Sequence, residues 1–314
     1  MRLQATLIAS LLSLMACSDE SLSPPHAANT PLAAVTSPGI PFGMAGFAPS
    51  DFTPNTRPDT FWTGASITDK NLTHVQNQLA IAQTHGLRMW YNFTVADEAF
   101  YFKGGTGADA ENFSLSKWKT EFDLHACPCN PEPNATSKVS LAQWIGNGIL
   151  AGTYLLDDMS QFTNGTPTYN DLEAMGALAK KRFPGITTAV RQRPTELEKL
   201  TGVGTGTKKF ASLDAGWAQY NSRQIAIGSY ISAQNAAATR HGLKLIYGIN
   251  VSDGGDADKN EVNVTQLHDW GTPMLQNPST CTFIMWNETY SQINSPAMLN
   301  LSNLAKAHAP TPCQ

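Results

Sequence analysis

From about residue 40 onward, short apolar runs alternate with longer amphipathic stretches. The runs 87–94 (LRMWYNFT), 152–159 (GTYLLDDM), 186–193 (ITTAVRQR), 243–250 (LKLIYGIN) and 281–287 (CTFIMWN) have the length and aromatic or β-branched content of buried strands. Residues 41–47 and 211–217 (ASLDAGW) read the same way. Between the runs the spacing turns helical. Leu72, Val75, Leu79 and Ala82 share one face of a helix predicted over 68–85, and Gly86 stands where a C-cap belongs. Further helices are predicted over 114–121, 141–150, 170–183, 223–241, 264–270 and 298–308.

Helices returning the chain to a new strand impose parallel pairing. Seven strands are evident, and an eighth, third in order, is inferred near residue 125. The expected fold class is α/β, a (β/α)8 TIM barrel forming a single domain over 40–314. An open doubly wound sheet is the alternative. Its Gly-rich phosphate turn is missing, because Gly43-Met-Ala-Gly46 does not match G-x-G-x-x-G.

The N-terminus follows another pattern. Arg2 precedes an apolar stretch over 3–15, too short to cross a bilayer, and small residues follow, so 1–16 reads as a signal peptide. Residues 17–39 are rich in Ser, Pro, Ala and Thr without apolar periodicity, as in a flexible linker. Leu14-Met15-Ala16-Cys17 resembles the bacterial lipobox. That resemblance implies lipidation at Cys17 and, with Ser18 next, an outer-membrane address. An ordinary secretory signal cleaved near Ala16 stays open beside it. Both place the domain outside the cytoplasm, lipid-anchored to a bacterial membrane or cell surface, or secreted. No later run reaches the ~20 apolar residues of a spanning helix, so the membrane is expected as a partner only through the N-terminal lipid.

Composition narrows the function. The chain has 314 residues, 41% hydrophobic and 15% charged, enough for one large core. Net charge is −4 and no Lys/Arg-rich run occurs, so nucleic acid is not expected as a partner. Of the five cysteines, Cys127 and Cys129 flank a single proline. They pair elsewhere, or Cys281 pairs with Cys313 and they stay reduced. No cofactor and no metal is expected: C-x-C beside His125 lacks a second zinc knuckle, and Asp256-Ala-Asp258-Lys-Asn260 places Glu261 where a calcium loop needs glycine. The glycines of 202–206 lack phosphate-loop spacing, and no G-x-S-x-G elbow is present.

Barrel sites form at strand C-terminal ends. Those ends collect Trp90 and Asn92, Asp157 and Asp158, Arg191, Asp214 with Trp217 and Tyr220, Asn250, and Trp286 with Glu288. Indole faces stack on sugar C–H surfaces, amides and guanidinium bind hydroxyls, and paired carboxylates supply acid and nucleophile or base. Trp90, Asn92, Arg191, Trp217, Tyr220, Asn250 and Trp286 are therefore the substrate-binding candidates. Asp158, Asp157, Glu288 and Asp214 are the catalytic ones.

Over roughly 40–309 this arrangement resembles the TIM-barrel glycoside hydrolases. Asp157-Asp158 falls where the largest clan ends its fourth strand in Asn-Glu, which by resemblance makes Asp158 the acid/base. That clan's nucleophile closes strand seven, where this chain has Asn250. The α-galactosidase-type clan implies Asp214 on strand six instead, and a third pairing sets Asp158 against Glu288. Strand parity leaves Asp157 and Asp158 open. The resemblance implies a glycosidase acting on extracytoplasmic saccharides, with a non-catalytic surface lipoprotein binding a saccharide or other polymer as the alternative.

Overall fold

A computed structural model of the chain describes residues 39–45, 64–68, 72–92, 113–126, 141–156, 166–256, 260–286 and 292–313. Its eight strands are β1 (Phe42–Ala45), β2 (Gly64–Thr68), β3 (Arg88–Asn92), β4 (Leu150–Tyr154), β5 (Thr187–Val190), β6 (Ala215–Tyr220), β7 (Lys244–Ile249) and β8 (Thr280–Trp286). Every pair is parallel, in the order β1-β8-β7-β6-β5-β4-β3-β2. β1 and β2 lie beside each other across the remaining seam. This is the TIM-barrel topology expected from the chain pattern.

The helices are α1 (Leu72–Thr84), α2 (Leu115–Ala126), α3 (Ala142–Gly146), α4 (Tyr169–Arg182), α5 (Pro194–Leu197), α6 (Ile227–His241), α7 (Val264–Leu275) and α8 (Pro296–Ala307). Local chemistry sets their ends. Thr168 and Asp171 form a capping box on α4, and Asn263 and Gln266 do the same for α7, each pair satisfying two otherwise orphaned backbone N–H groups. Gly242 ends α6 at φ +71, a left-handed cap that a β-carbon would disfavour.

Two differences from the sequence expectation stand out. The third-position strand near residue 125 is absent, because 115–126 is α2, with Trp118 and Phe122 stacked on its buried face. The missing strand is β2, Gly-Ala-Ser-Ile-Thr, earlier in the chain. The run 87–94 is thus third, not second, and strands four to eight keep their order. The sixth strand also starts later than expected, at Ala215 and not Ala211.

Strand side chains divide between two cores. Phe42, Met44, Tyr91, Val190, Tyr220, Tyr247, Phe283 and Met285 join helix residues such as Leu79, Trp118, Met175, Leu267 and Leu301 in the layer between barrel and helices. Ala45, Trp90, Tyr154, Ala189, Ala215, Trp217, Ile246, Cys281 and Ile284 form a separate cluster in the barrel interior. Cys313 belongs to it too, and its disulfide to Cys281 (Cα–Cα 5.1 Å) pins the C-terminal segment beneath the N-terminal ends of the strands. Cys17, Cys127 and Cys129 lie outside the described residues, as do the expected signal peptide over 1–16 and nearly all of the expected linker over 17–39. No helix among the described residues is long and apolar enough to cross a membrane.

Candidate functional site

Interior positions line up by strand register. Trp90 pairs with Gly152, Tyr154 with Ala189, and Ala189 with Ala215. Trp217 pairs with Ile246, Gln219 with Gly248, and Ala45 with Trp286. At four of these positions a large residue faces a small one, as a narrow barrel requires: Trp90 at Gly152, Tyr154 at Ala189, Gln219 at Gly248 and Trp286 at Ala45. Gly152 makes room for Trp90, since a β-carbon there would fall 2.6 Å from Trp90 Cη2.

The large side chains form one continuous stack. Trp90 stacks on Tyr154 with ring centroids 5.1 Å apart, and Tyr154 on Trp217 at 5.2 Å. The Arg191 guanidinium lies over Trp217 and over Trp286, 4.6 Å from each ring centroid. Each aromatic pair and each cation–π contact adds on the order of 1 kcal/mol beyond burial. The stack climbs toward the C-terminal mouth. Trp90, Tyr154 and Trp217 are 1%, 0% and 2% exposed. Arg191 and Trp286 are half-buried. Trp90 and Trp217 were expected as sugar platforms, but Tyr154 covers a face of each and Arg191 lies over Trp217. Their indole edges are what remain, and neither Nε1 has a hydrogen-bond partner.

Asn92 ends β3 on the same side of the strand as Trp90 and is buried. Asn250 follows β7, bridges to Trp286, and its Oδ1 accepts the Asp253 N–H at 3.5 Å, holding the start of the next loop. One carboxylate oxygen of Asp253 is buried without a hydrogen-bond partner. Arg191 directly follows β5, and its backbone N–H donates to the Leu156 carbonyl at 3.0 Å, tying it to the segment that leads into Asp157. Alternation stops at Tyr154, for Leu155 and Leu156 both join the outer core. Asp157, Asp158 and Glu288 lie outside the described residues.

Two expected site residues are displaced. Asp214 precedes β6 at the N-terminal end of the barrel, opposite the mouth. It accepts from Lys180 Nζ at 2.6 Å and from the Thr188 N–H at 2.9 Å, so its carboxylate ties α4 to β5. The cause is the late start of β6: the Ala211 and Ser212 N–H groups donate to Glu173 at 3.0 Å, and 211–212 form a bend ahead of the strand. Tyr220 faces the helices. Its ring packs edge-on against Tyr230 and Trp270, and its hydroxyl donates to the Ile225 carbonyl at 3.1 Å. Burial, with the Asp256 carboxylate nearby, raises its pKa above the ordinary phenol value. Two interior residues outside the expected set are Tyr154 and Gln219; alternation along β6 from Trp217 leads to Gln219, whereas Tyr154 lies on β4 and is reached from neither tryptophan.

The site is thus the C-terminal mouth of a (β/α)8 barrel, floored by aromatic rings and topped by a guanidinium held between two indoles. No family model matches the chain, and no curated protein matches it. Solved structures do. A hyperthermophilic endocellulase from Pyrococcus horikoshii superposes with a TM-score of 0.50 at 11% identity, over 85% of this chain and 92% of that one. A cellulase–inhibitor complex gives 0.50 at 12% identity with the same coverage of 85% and 92%. Saccharomyces cerevisiae Gas2p bound to laminaritriose and laminaritetraose gives 0.49 at 8% identity, over 87% of this chain and 65% of that one. The chain thus spans about two thirds of the length of the Gas2p structures it matches. At these identities the likeness is one of fold.

Proposed function

We propose that the protein is a glycoside hydrolase acting on extracytoplasmic saccharides, with Asp157 or Asp158 opposed by Glu288. The observation that carries this reading is the mouth of the barrel, where Arg191 and Trp286 crown an aromatic stack beside Asn92 and Asn250. Guanidinium, indole and amides suit a ring that is apolar on its faces and hydroxylated at its edge. The fold likeness to cellulases supports it at that level. Asp214 is not part of the proposal, since it sits at the opposite end in an ion pair.

In this mechanism one carboxylic acid protonates the glycosidic oxygen as the bond to the anomeric carbon breaks. The other, ionised, attacks that carbon or activates a water toward it. A separation of ~5–5.5 Å gives retention, and ~6.5–9.5 Å gives inversion. Lipidation at Cys17 would hold the domain at a bacterial membrane surface.

The test is a screen of the protein against chromogenic glycosides and oligosaccharides, with products followed by chromatography. Hydrolysis is expected for at least one sugar class, with a loss of at least about a hundredfold in Glu288→Gln and in Asp157→Asn or Asp158→Asn. Hydrolysis untouched by all three substitutions would sink the assignment. Binding without hydrolysis across the panel would replace it with a saccharide-binding barrel. Mass spectrometry of the membrane fraction checks the lipid at Cys17.

A further inference from the structure

We infer that Gln219 and Trp217 together form a donor site for an oxygen acceptor of the bound saccharide. The inference rests on the saccharide reading of the mouth and assigns it a residue. Three observations meet at one place. Ala215 and Trp217 belong to the interior cluster while Ala218 and Tyr220 belong to the outer core, so alternation along β6 turns Gln219 to the interior. Gln219 Nε2 and Trp217 Nε1 are both buried and lack a hydrogen-bond partner, and Trp217 is 2% exposed. Both border the same glycine. Gln219 is in register with Gly248, and Trp217 Nε1 lies 2.8 Å from where a β-carbon on Gly248 would stand.

A β-carbon on Gly248 would also clash with the Ile284 carbonyl oxygen of β8, so only glycine lets the backbone close against the indole edge. Trp Nε1 only donates, and so does the amide nitrogen of glutamine. Two donors buried without acceptors are costly. The group that completes them is an acceptor, a sugar hydroxyl or ring oxygen, or the carboxylate of a sugar acid. The backbone carbonyl of Gln219 is already used, since it accepts the Tyr230 hydroxyl at 2.9 Å, which fixes the strand from the helix side. Gln219 is thereby held from behind, with its side chain on the interior face of β6.

Isothermal titration of the whole protein tests this. Cellohexaose, laminarihexaose and chitohexaose serve as neutral probes, and hexagalacturonate as the carboxylate-bearing one. For any probe that the wild type binds, Gln219→Met and Trp217→Phe each weaken affinity about tenfold, the worth of one hydrogen bond. Gln219→Glu weakens neutral binding at least as much while keeping shape, so a misfolded Met variant does not leave the matter open. Tyr220→Phe, one residue away but facing the helices, leaves affinity unchanged. Selective binding of hexagalacturonate supports the site and makes the acceptor a carboxylate. Gln219 variants that bind like wild type overturn the inference while the saccharide reading stands, as does an equal loss in Tyr220→Phe. Wild type binding none of the four probes overturns both.

Discussion

Asp214 separates a chemical role from an architectural one, because its type and its place in the sequence suggested the first and its surroundings indicate the second. Substituting asparagine removes the charge that meets Lys180 Nζ at 2.6 Å but keeps an acceptor for the Thr188 N–H. The lysine is 32% exposed, so solvent screens the pair and its worth is modest. Counting a weakened charge-assisted bond, Asp214→Asn should cost about 1.5 kcal/mol. Asp214→Ala also orphans the Thr188 N–H and should cost about 3 kcal/mol. For a unit spanning Ala33–Gln314, with ~2 °C lost per kcal/mol, these become Tm shifts of about 3 and 6 °C. Scanning calorimetry gives the shifts, and activity or ligand affinity per folded molecule should stay within about twofold of wild type. A stable Asp214→Asn protein that has lost turnover would refute this and return Asp214 to the chemistry.

Three further outcomes follow from the same contacts. Reducing the Cys281–Cys313 disulfide, or replacing both cysteines by serine, frees a loop of 32 residues and should lower stability by about 3.7 kcal/mol on the chain-entropy model; equal urea midpoints with and without reductant would contradict it. Gly152→Ala pushes a methyl into the Trp90 indole and should cost about 1–3 kcal/mol while altering the near-UV circular dichroism of the stack; an unchanged spectrum would place Trp90 elsewhere. Burial raises the pKa values of Tyr230 and Tyr247, whose unfolded-state value is about 10. The unfolded chain then releases these protons first, so stability present below about pH 10 is lost above it, by about 2.7 kcal/mol per pH unit for the two. Urea midpoints between pH 9 and 11 measure that slope, and Tyr230→Phe should roughly halve it.

The repeating run of strand, helix and glycine was legible because it depends on burial and local capping, both written in residue type. Gly86 and Gly242 mark helix ends in the sequence and have positive φ in the structure. β2 was not legible: Gly-Ala-Ser-Ile-Thr has one large apolar residue, and no periodicity distinguishes it from a loop. α2 was half legible, its apolar positions Leu115, Trp118 and Phe122 fitting a helical face while the chain count asked for a strand. The start of β6 was hidden for a different reason. Ala-Ser-Leu-Asp reads as extended chain, but Glu173, some forty positions earlier, takes the N–H groups of its first two residues, which bend ahead of the strand. No local pattern encodes a partner that distant.

That four-residue displacement decides more than a boundary. With the strand running 211–217, Asp214 approaches its C-terminal end and Trp217 stands at the rim. With β6 at Ala215–Tyr220, Asp214 drops to the floor, Trp217 becomes interior and Gln219 reaches the mouth. Parity then separates neighbours completely: Gln219 faces the barrel interior, and Tyr220 faces Tyr230 and Trp270. The interior imposes a second constraint. Trp90, Tyr154 and Trp217 fill it so fully that each is at most 2% exposed, and a packed barrel offers no deep pocket. Among the described members of the stack, only Arg191 and Trp286 retain appreciable exposure. A ligand entering the mouth therefore first meets an indole paired with a cation, and the buried rings lend that pair its rigidity.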